Sequence, residues 1–316
     1  MQTASTAFIF PGQGSQSVGM GKDLYDSFAC AREVFESASE AIGLPLAKLC
    51  FEGPADQLTL TENQQPAILT VSIAAWSVLE KETGARAQAV AMAGHSLGEY
   101  SALVAAGALP LADAIKTVRA RGQAMQRAVP QGQGKMAAIL GLEPAQVEEI
   151  CKKATQPGEV AQPANFNAPG QIAVSGSAAA VGRAMKLAGE AGGKAMPLDV
   201  SAPFHCPLMA RAAEELKPVL AAAKFETPKI PVLRNVDAQP HGGPDQIREF
   251  LFKQVTAPVR WTDTVAGLKK LGAQRFVEVG PGRVLGGLLK RIDRQAVFFN
   301  VENVATLKKL SGEAAA

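Results

Sequence analysis

The 316-residue chain is poor in aromatics, at 5%, with two tryptophans and two tyrosines, and has little excess charge of either sign. Its 32 lysines and arginines nearly balance 29 aspartates and glutamates, leaving a net charge of +3. No basic run carries interleaved aromatics, so nucleic acid is not an expected partner. Four cysteines (Cys30, Cys50, Cys151, Cys206) are scattered with no C-x-x-C pair, and His95, His205 and His241 are equally dispersed. Metal-ligand spacing is therefore missing, and neither a metal nor a tightly held cofactor is expected. Segment 1–7 lacks positive charge ahead of an apolar run, so it has no secretory signature. Scattered cysteines without a leader read as free thiols in a reducing compartment. The strongest apolar stretch, 67–79, falls short of the roughly 20 residues a bilayer span requires. A soluble, cytoplasmic protein with no membrane partner is expected.

What is present is ordinary globular material: 47% hydrophobic residues, 19% charged, 30 glycines and 20 prolines. A chain this long can form one large domain or two smaller ones. Segment 6–10 reads as a buried strand ending in Pro11-Gly12. Segment 67–79 reads as a helix after Pro66, and 89–93 as a second buried strand. The turn at 94–98 and a helix over 99–106 follow, giving the strand–turn–helix order of an α/β fold. Between 130 and 203 the pattern changes. Strands at 135–140, 161–166, 171–175 and 194–199 alternate with helices at 144–154 and 178–191, the βαββαβ order of a ferredoxin-like unit. Helices at 205–223, 245–254 and 261–271 and a strand at 275–279 come after it. The expected fold is therefore α/β, with residues 1–129 and 204–316 forming a core of mostly parallel sheet. Residues 130–203 form an inserted ferredoxin-like subdomain.

Gly94-x-Ser96-x-Gly98 matches a nucleophile elbow, and it lies between a strand and a helix as that motif requires. Small flanking residues let the backbone bend sharply enough to lift a serine hydroxyl off the sheet edge. A helix starting at Ser96 would aim free N–H groups at any oxyanion formed there. The same five residues also fit a glycine-lined turn with an incidental serine. A serine nucleophile needs a base. His95 adjoins Ser96 and points elsewhere, and His241 lies in a polar loop, so His205 is the best candidate, opening a helix after Pro203-Phe204. The alternative is a helix-start histidine without a role. Asp199, Asp237, or a backbone or amide carbonyl are the groups that would orient it. Gly12-Gln13-Gly14 does not complete a dinucleotide fingerprint, because Ser17 stands at the third glycine position.

Arg121 is conspicuous by placement. On a helix at about 100° per residue, Ala114, Ile115, Val118, Met125, Ala128 and Val129 share one face, and Arg121 falls inside that arc. A buried guanidinium is costly unless it meets an anion, and that face carries no acid. A distant structural acid would serve, and so would a substrate carboxylate, which the planar guanidinium fork grips through two hydrogen bonds.

Taken together, the chain resembles the malonyl-CoA:acyl carrier protein transacylases over residues 8 to about 301. The resemblance rests on Phe10-Pro11-Gly12-Gln13-Gly14-Ser15-Gln16, Gln64-Gln65-Pro66-Ala67, Gly94-His95-Ser96-Leu97-Gly98-Glu99 and Arg119-Ala120-Arg121-Gly122. Further anchors are Asn165-Phe166-Asn167-Ala168-Pro169-Gly170-Gln171, Phe204-His205-Cys206-Pro207-Leu208-Met209, the Gln254 to Trp261 segment and Glu278-Val279-Gly280-Pro281-Gly282. It implies a hydrolase-like core carrying a ferredoxin-like subdomain, with Ser96 as nucleophile and His205 as general base. It further implies an oxyanion hole from the N–H groups of Gln13 and Leu97, a malonyl carboxylate held by Arg121, and His205 oriented by a carbonyl of Gln254. Asn165 and Asn167 would line the cleft, and Phe204 would favour malonyl over branched acyl groups. The implied reaction is ping-pong transfer of malonyl from malonyl-CoA to acyl carrier protein in fatty acid biosynthesis, by a monomer with coenzyme A thioester as substrate. Lys269-Lys270 and Lys290-Arg291 are candidate docking positions for an acidic carrier protein, or simply solvated faces. A serine esterase or thioesterase, a silent carrier-binding module, and a free-standing polyketide acyltransferase are the competing readings.

Overall fold

Thr6–Phe10 is almost wholly apolar and forms strand β1, buried along its length in the middle of a five-stranded sheet. The computed structural model describes residues 5–314; the first four residues of segment 1–7 and the last two of the chain lie outside the described residues. After β1 come helices α1 (Lys22–Ser27), α2 (Ala29–Ile42), α3 (Leu46–Glu52) and α4 (Ala55–Thr59), then the long α5 (Thr61–Thr83). Strand β2 (Ala89–Gly94) leads to α6 (Gly98–Ala105) and α7 (Leu111–Ala128). A second unit follows: β3 (Gly134–Leu140), α8 (Pro144–Ala154), β4 (Ala161–Ala168), β5 (Gln171–Ser177), α9 (Ala178–Glu190) and β6 (Lys194–Pro197). Then come α10 (Ala210–Ala222), β7 (Val232–Leu233), α11 (Pro244–Gln254) and α12 (Trp261–Lys270). The chain ends with β8 (Arg275–Val279), α13 (Val284–Ile292), β9 (Val297–Val301) and α14 (Val304–Ala314).

The large sheet has the order β7-β2-β1-β8-β9, every pair parallel. Parallel strands need cover on both faces, and alternate residues of β1 and β2 enter two different cores. Phe8, Phe10 and Met92 belong to the core that holds α5, where Phe8 meets Trp76 edge-on at 5.0 Å between ring centroids. Ala7, Ile9, Ala91 and Ala93 face the other way, with Trp261 and Leu268 of α12. The small sheet is antiparallel, in the order β4-β5-β3-β6, and α8 and α9 pack Val147, Ile150, Val181 and Ala184 onto it. This is the ferredoxin arrangement, and with the parallel sheet it makes the α/β fold expected from the pattern. Backbone bonds tie the two sheets' territories together: Phe166 N–H donates to the Val259 carbonyl (2.9 Å) and Val259 N–H to that of Ala164 (2.8 Å).

Three local expectations change. The helix placed at 67–79, after Pro66, begins six residues earlier, at Thr61, with Pro66 inside it. Proline there forfeits only one backbone bond, in the second turn, and the fully buried face beyond it outweighs that loss. The helix placed at Ser96 begins at Gly98, because Ser96 is left-handed (φ 51) and Leu97 forms the cap. Likewise His205 does not open a helix. It is left-handed (φ 57), followed by one 3-10 turn at Pro207–Met209 before α10 starts at Ala210. Helices α1 to α4, α13 and α14 and strands β7 and β9 were not anticipated; β7 has two residues, and α1, α3 and α4 five to seven. Elements so short carry too few periods to stand out. Among the described residues, no helix is long and apolar enough to cross a membrane.

Candidate active site

The turn that carries Ser96 is pressed against the end of β1. A Cβ on Gly98 would lie 2.1 Å from the Phe10 carbonyl oxygen, and one on Gly94 would lie 1.9 Å from the Gly98 backbone. Only glycine fits either place, so the spacing of the motif is a steric requirement. The left-handed Ser96 is held from outside by Asn235, which follows β7. Its Oδ1 accepts the Ser96 N–H at 2.6 Å, and its Nδ2 donates to the Gly94 carbonyl at 2.7 Å. Asn235 thus satisfies two buried backbone groups that the sharp turn leaves without partners.

His205 Nε2 lies 2.7 Å from Ser96 Oγ. Its Nδ1 faces only acceptors, the carbonyls of Gln254 (2.9 Å) and Ala257 (3.2 Å), so the ring proton sits on Nδ1 and the Nε2 lone pair faces the serine. Burial, and after it the Arg121 charge, push the imidazole down to about 3, against the pull of those two carbonyls. At neutral pH the ring is therefore uncharged, the form a general base requires. The strained His205 backbone has its own support: Gln162 Nε2, from β4 of the small sheet, donates to the His205 carbonyl (2.8 Å) and to that of Thr256 (3.2 Å). Neither aspartate weighed as an orienting acid does that work. Asp237 pairs with Arg234 at 2.9 Å, and Asp199 is exposed.

Arg121, 1% exposed on α7, reaches the same serine: one terminal nitrogen donates to Ser96 Oγ at 3.1 Å and to Gln254 Oε1 at 3.0 Å. The other donates to Gln65 Oε1 at 2.9 Å, and Nε has no partner among the described residues. Among the described residues no carboxylate pairs with this guanidinium. A distant structural acid is thereby removed as the explanation of its burial. The nearby buried acid, Glu99, is occupied otherwise: it accepts from His241 Nε2 (2.8 Å), the Asn235 N–H (2.9 Å) and Gln254 Nε2 (2.8 Å). Desolvation lowers the Arg121 pKa, opposed by Tyr100 and Glu99.

The remaining positions gather around this pair. Neither Gln13 nor Leu97 gives its backbone N–H to a described residue, while the Ser96 N–H is already taken by Asn235. Gln13 is fixed through its side chain, which donates to Gln64 Oε1 at 2.7 Å, and its neighbour Gly12 abuts the His95 carbonyl. Asn165 is buried on β4, and its side chain bonds to no described residue. Asn167 instead receives His95 Nε2 on its Oδ1 at 2.9 Å, locking the ring beside the nucleophile away from the serine. Phe204 is buried in the main core. Among the described residues no three His, Cys, Asp or Glu side chains group closely enough to hold a metal. Asn235 and Gln162 escaped sequence reasoning, as did the bonds that Glu99 receives from His241 and Gln254. Gln65 lay in a recognised motif, without a role.

A serine on a strained turn, an uncharged histidine at 2.7 Å and an unmatched buried cation define a site equipped for serine-dependent acyl transfer. Residues 7–310 match the acyl transferase domain family. The chain is 48% identical over 303 residues to the malonyl CoA-acyl carrier protein transacylase of Bacillus subtilis (strain 168), covering 96% of this chain and 95% of that protein. A crystal structure of an acyl carrier protein S-malonyltransferase from Vibrio cholerae O1 biovar eltor matches with a TM-score of 0.94 and 46% identity, covering 97% of this chain and all (100%) of that one. A malonyl-transacylase solved in complex with a type II polyketide synthase acyl carrier protein matches with a TM-score of 0.94 and 42% identity, covering 98% and 100%. The chain belongs to the acyl transferase family, in its malonyl-CoA:acyl carrier protein transacylase branch.

Proposed function

We propose that this protein transfers malonyl from malonyl-CoA to the phosphopantetheine thiol of acyl carrier protein, through a malonyl ester on Ser96, in fatty acid biosynthesis. The observation that carries the reading is Arg121, a buried cation with no carboxylate partner among the described residues, within 3.1 Å of the serine hydroxyl. A malonyl group joined through its thioester carbon to the serine would offer its carboxylate to that guanidinium in place of the hydroxyl. His205 takes the Ser96 proton as Oγ attacks the thioester carbonyl, and the proton leaves with the coenzyme A thiol when the C–S bond breaks. The carrier thiol then attacks the ester, His205 accepts its proton, and Ser96 recovers it as the C–O bond breaks. Gln13 and Leu97 are the donors for both tetrahedral oxyanions, a contribution of about 3 kcal/mol per donor in comparable sites. Two carbonyls, rather than an acid, orient the base, which suits a thioester's reactivity and disfavours the esterase reading.

Residues 1–129 and 204–316 act as the catalytic core, and 130–203 as a subdomain closing the cleft with Asn165 and Asn167. The protein works as a cytoplasmic monomer, without metal or bound cofactor. Lys269 pairs with Asp293 at 2.5 Å, so of the four candidate docking positions Lys270, Lys290 and Arg291 are left for a carrier protein. The test is Arg121→Ala, assayed with malonyl-CoA and acetyl-CoA as donors. Loss of the charge-assisted pair predicts ~100-fold slower malonyl transfer with acetyl transfer spared or raised; equal loss with both donors contradicts the assignment.

A further inference from the structure

We propose that Gln65 is a specificity-determining positioning residue: it holds the Arg121 guanidinium with a neutral acceptor, so that its charge stays unmatched until an acyl carboxylate arrives. The inference rests on the reading of Arg121 as the carboxylate's partner. Gln65 lies fully buried on α5, and its Oε1 accepts from Arg121 at 2.9 Å. On the other side the acceptor is again an amide, Gln254 Oε1, at 3.0 Å. Gln254 also separates charges, since its Nε2 donates to Glu99 at 2.8 Å while its oxygen faces Arg121. The buried acid is thus kept one amide away from the buried cation, and His241 occupies its second oxygen at 2.8 Å.

This is an expensive way to hold an arginine. Burying a guanidinium costs heavily unless a counter-charge meets it, and a glutamate at residue 65 would supply one without changing side-chain length. Neutral amides fix the direction of the fork but leave its field intact in a site of low dielectric. An anionic acyl group is then favoured over a neutral one, because only the former relieves the unmatched charge. The neighbouring Gln64 holds Gln13 at 2.7 Å, so two adjacent glutamines of one helix set the arginine and the first loop.

The test compares acylation of Ser96 by malonyl-CoA and acetyl-CoA, as kcat/KM, in the unmodified protein, Gln65→Glu and Gln65→Met. Gln65→Glu is expected to lower the malonyl-to-acetyl ratio by ~30-fold, the worth of the charge-assisted bonds it pre-empts, while acetyl acylation persists. Gln65→Met removes the acceptor but adds no charge, so it should slow both donors and keep the preference. The inference is overturned if Gln65→Glu leaves the ratio unchanged, or if Gln65→Met collapses the ratio as far as Gln65→Glu does. Should Gln65→Glu fail to fold, Gln65→Met decides alone: a retained preference supports a neutral cradle and a collapsed one overturns it. An unmodified protein with no malonyl preference would overturn the reading of Arg121 itself, and this inference with it.

Discussion

Two non-glycine residues meet across the cleft in left-handed conformations, Ser96 at φ 51 and His205 at φ 57, and they are held in different ways. The serine turn lies within the large parallel sheet. Gly94 and Gly98 press it onto the end of β1, and Asn235, beyond the adjacent strand β7, clamps it. The histidine turn has no such glycines. It relies on Gln162 from the small sheet, which joins its backbone to the 254–257 loop whose carbonyls steer its ring. The nucleophile is therefore a property of one sheet, and the base a property of how two sheets are joined. Strain at a reacting residue persists only where its surroundings over-determine it, and here each surrounding has a different source.

Substitutions can separate the two cases. Gly98→Ala should have the largest effect, because its new Cβ meets backbone rather than a yielding side chain. About 4 kcal/mol or more of stability should be lost in urea unfolding; a folded variant of near-normal stability would show that the glycines are not what shapes the turn. Asn235→Ala should come next, leaving the Ser96 N–H and the Gly94 carbonyl buried without partners. A loss of about 2–3 kcal/mol is expected in the same measurement, and a loss below that of an ordinary surface change would remove Asn235 from the account. Gln162→Leu should barely move stability, since the side chain is only half-buried. It should lower kcat about tenfold with KM for malonyl-CoA unchanged, as expected of a misplaced base. A normal kcat would break the comparison, placing the base in the large-sheet unit alone.

The same difference explains what could be read in advance. Gly94, Ser96 and Gly98 are legible because the steric rule acts over five residues between a strand and a helix. Arg121 is legible because a cation inside an apolar helical arc violates the helix's own pattern. The small sheet is legible because its βαββαβ order is local. Asn235 lies 139 residues from the serine it holds, and Gln162 lies 43 from the histidine it supports. A polar side chain in a loop or on an edge strand carries no periodic mark of such a distant partner. Resemblance supplied Gln13, Leu97 and Gln254, yet only the folded chain gives Gln254 its second task between Glu99 and Arg121. The left-handed conformation of His205 had no sequence sign, since neither glycine nor asparagine stands there.

The central claim is a malonyl ester on Ser96, and intact mass measurement tests it directly. The purified protein is incubated with malonyl-CoA alone, quenched in acid, weighed and mapped by peptide. The account predicts one malonyl adduct on the peptide carrying Ser96, absent from Ser96→Ala. An adduct that survives in that variant, or continuous release of coenzyme A with no adduct at all, would contradict it.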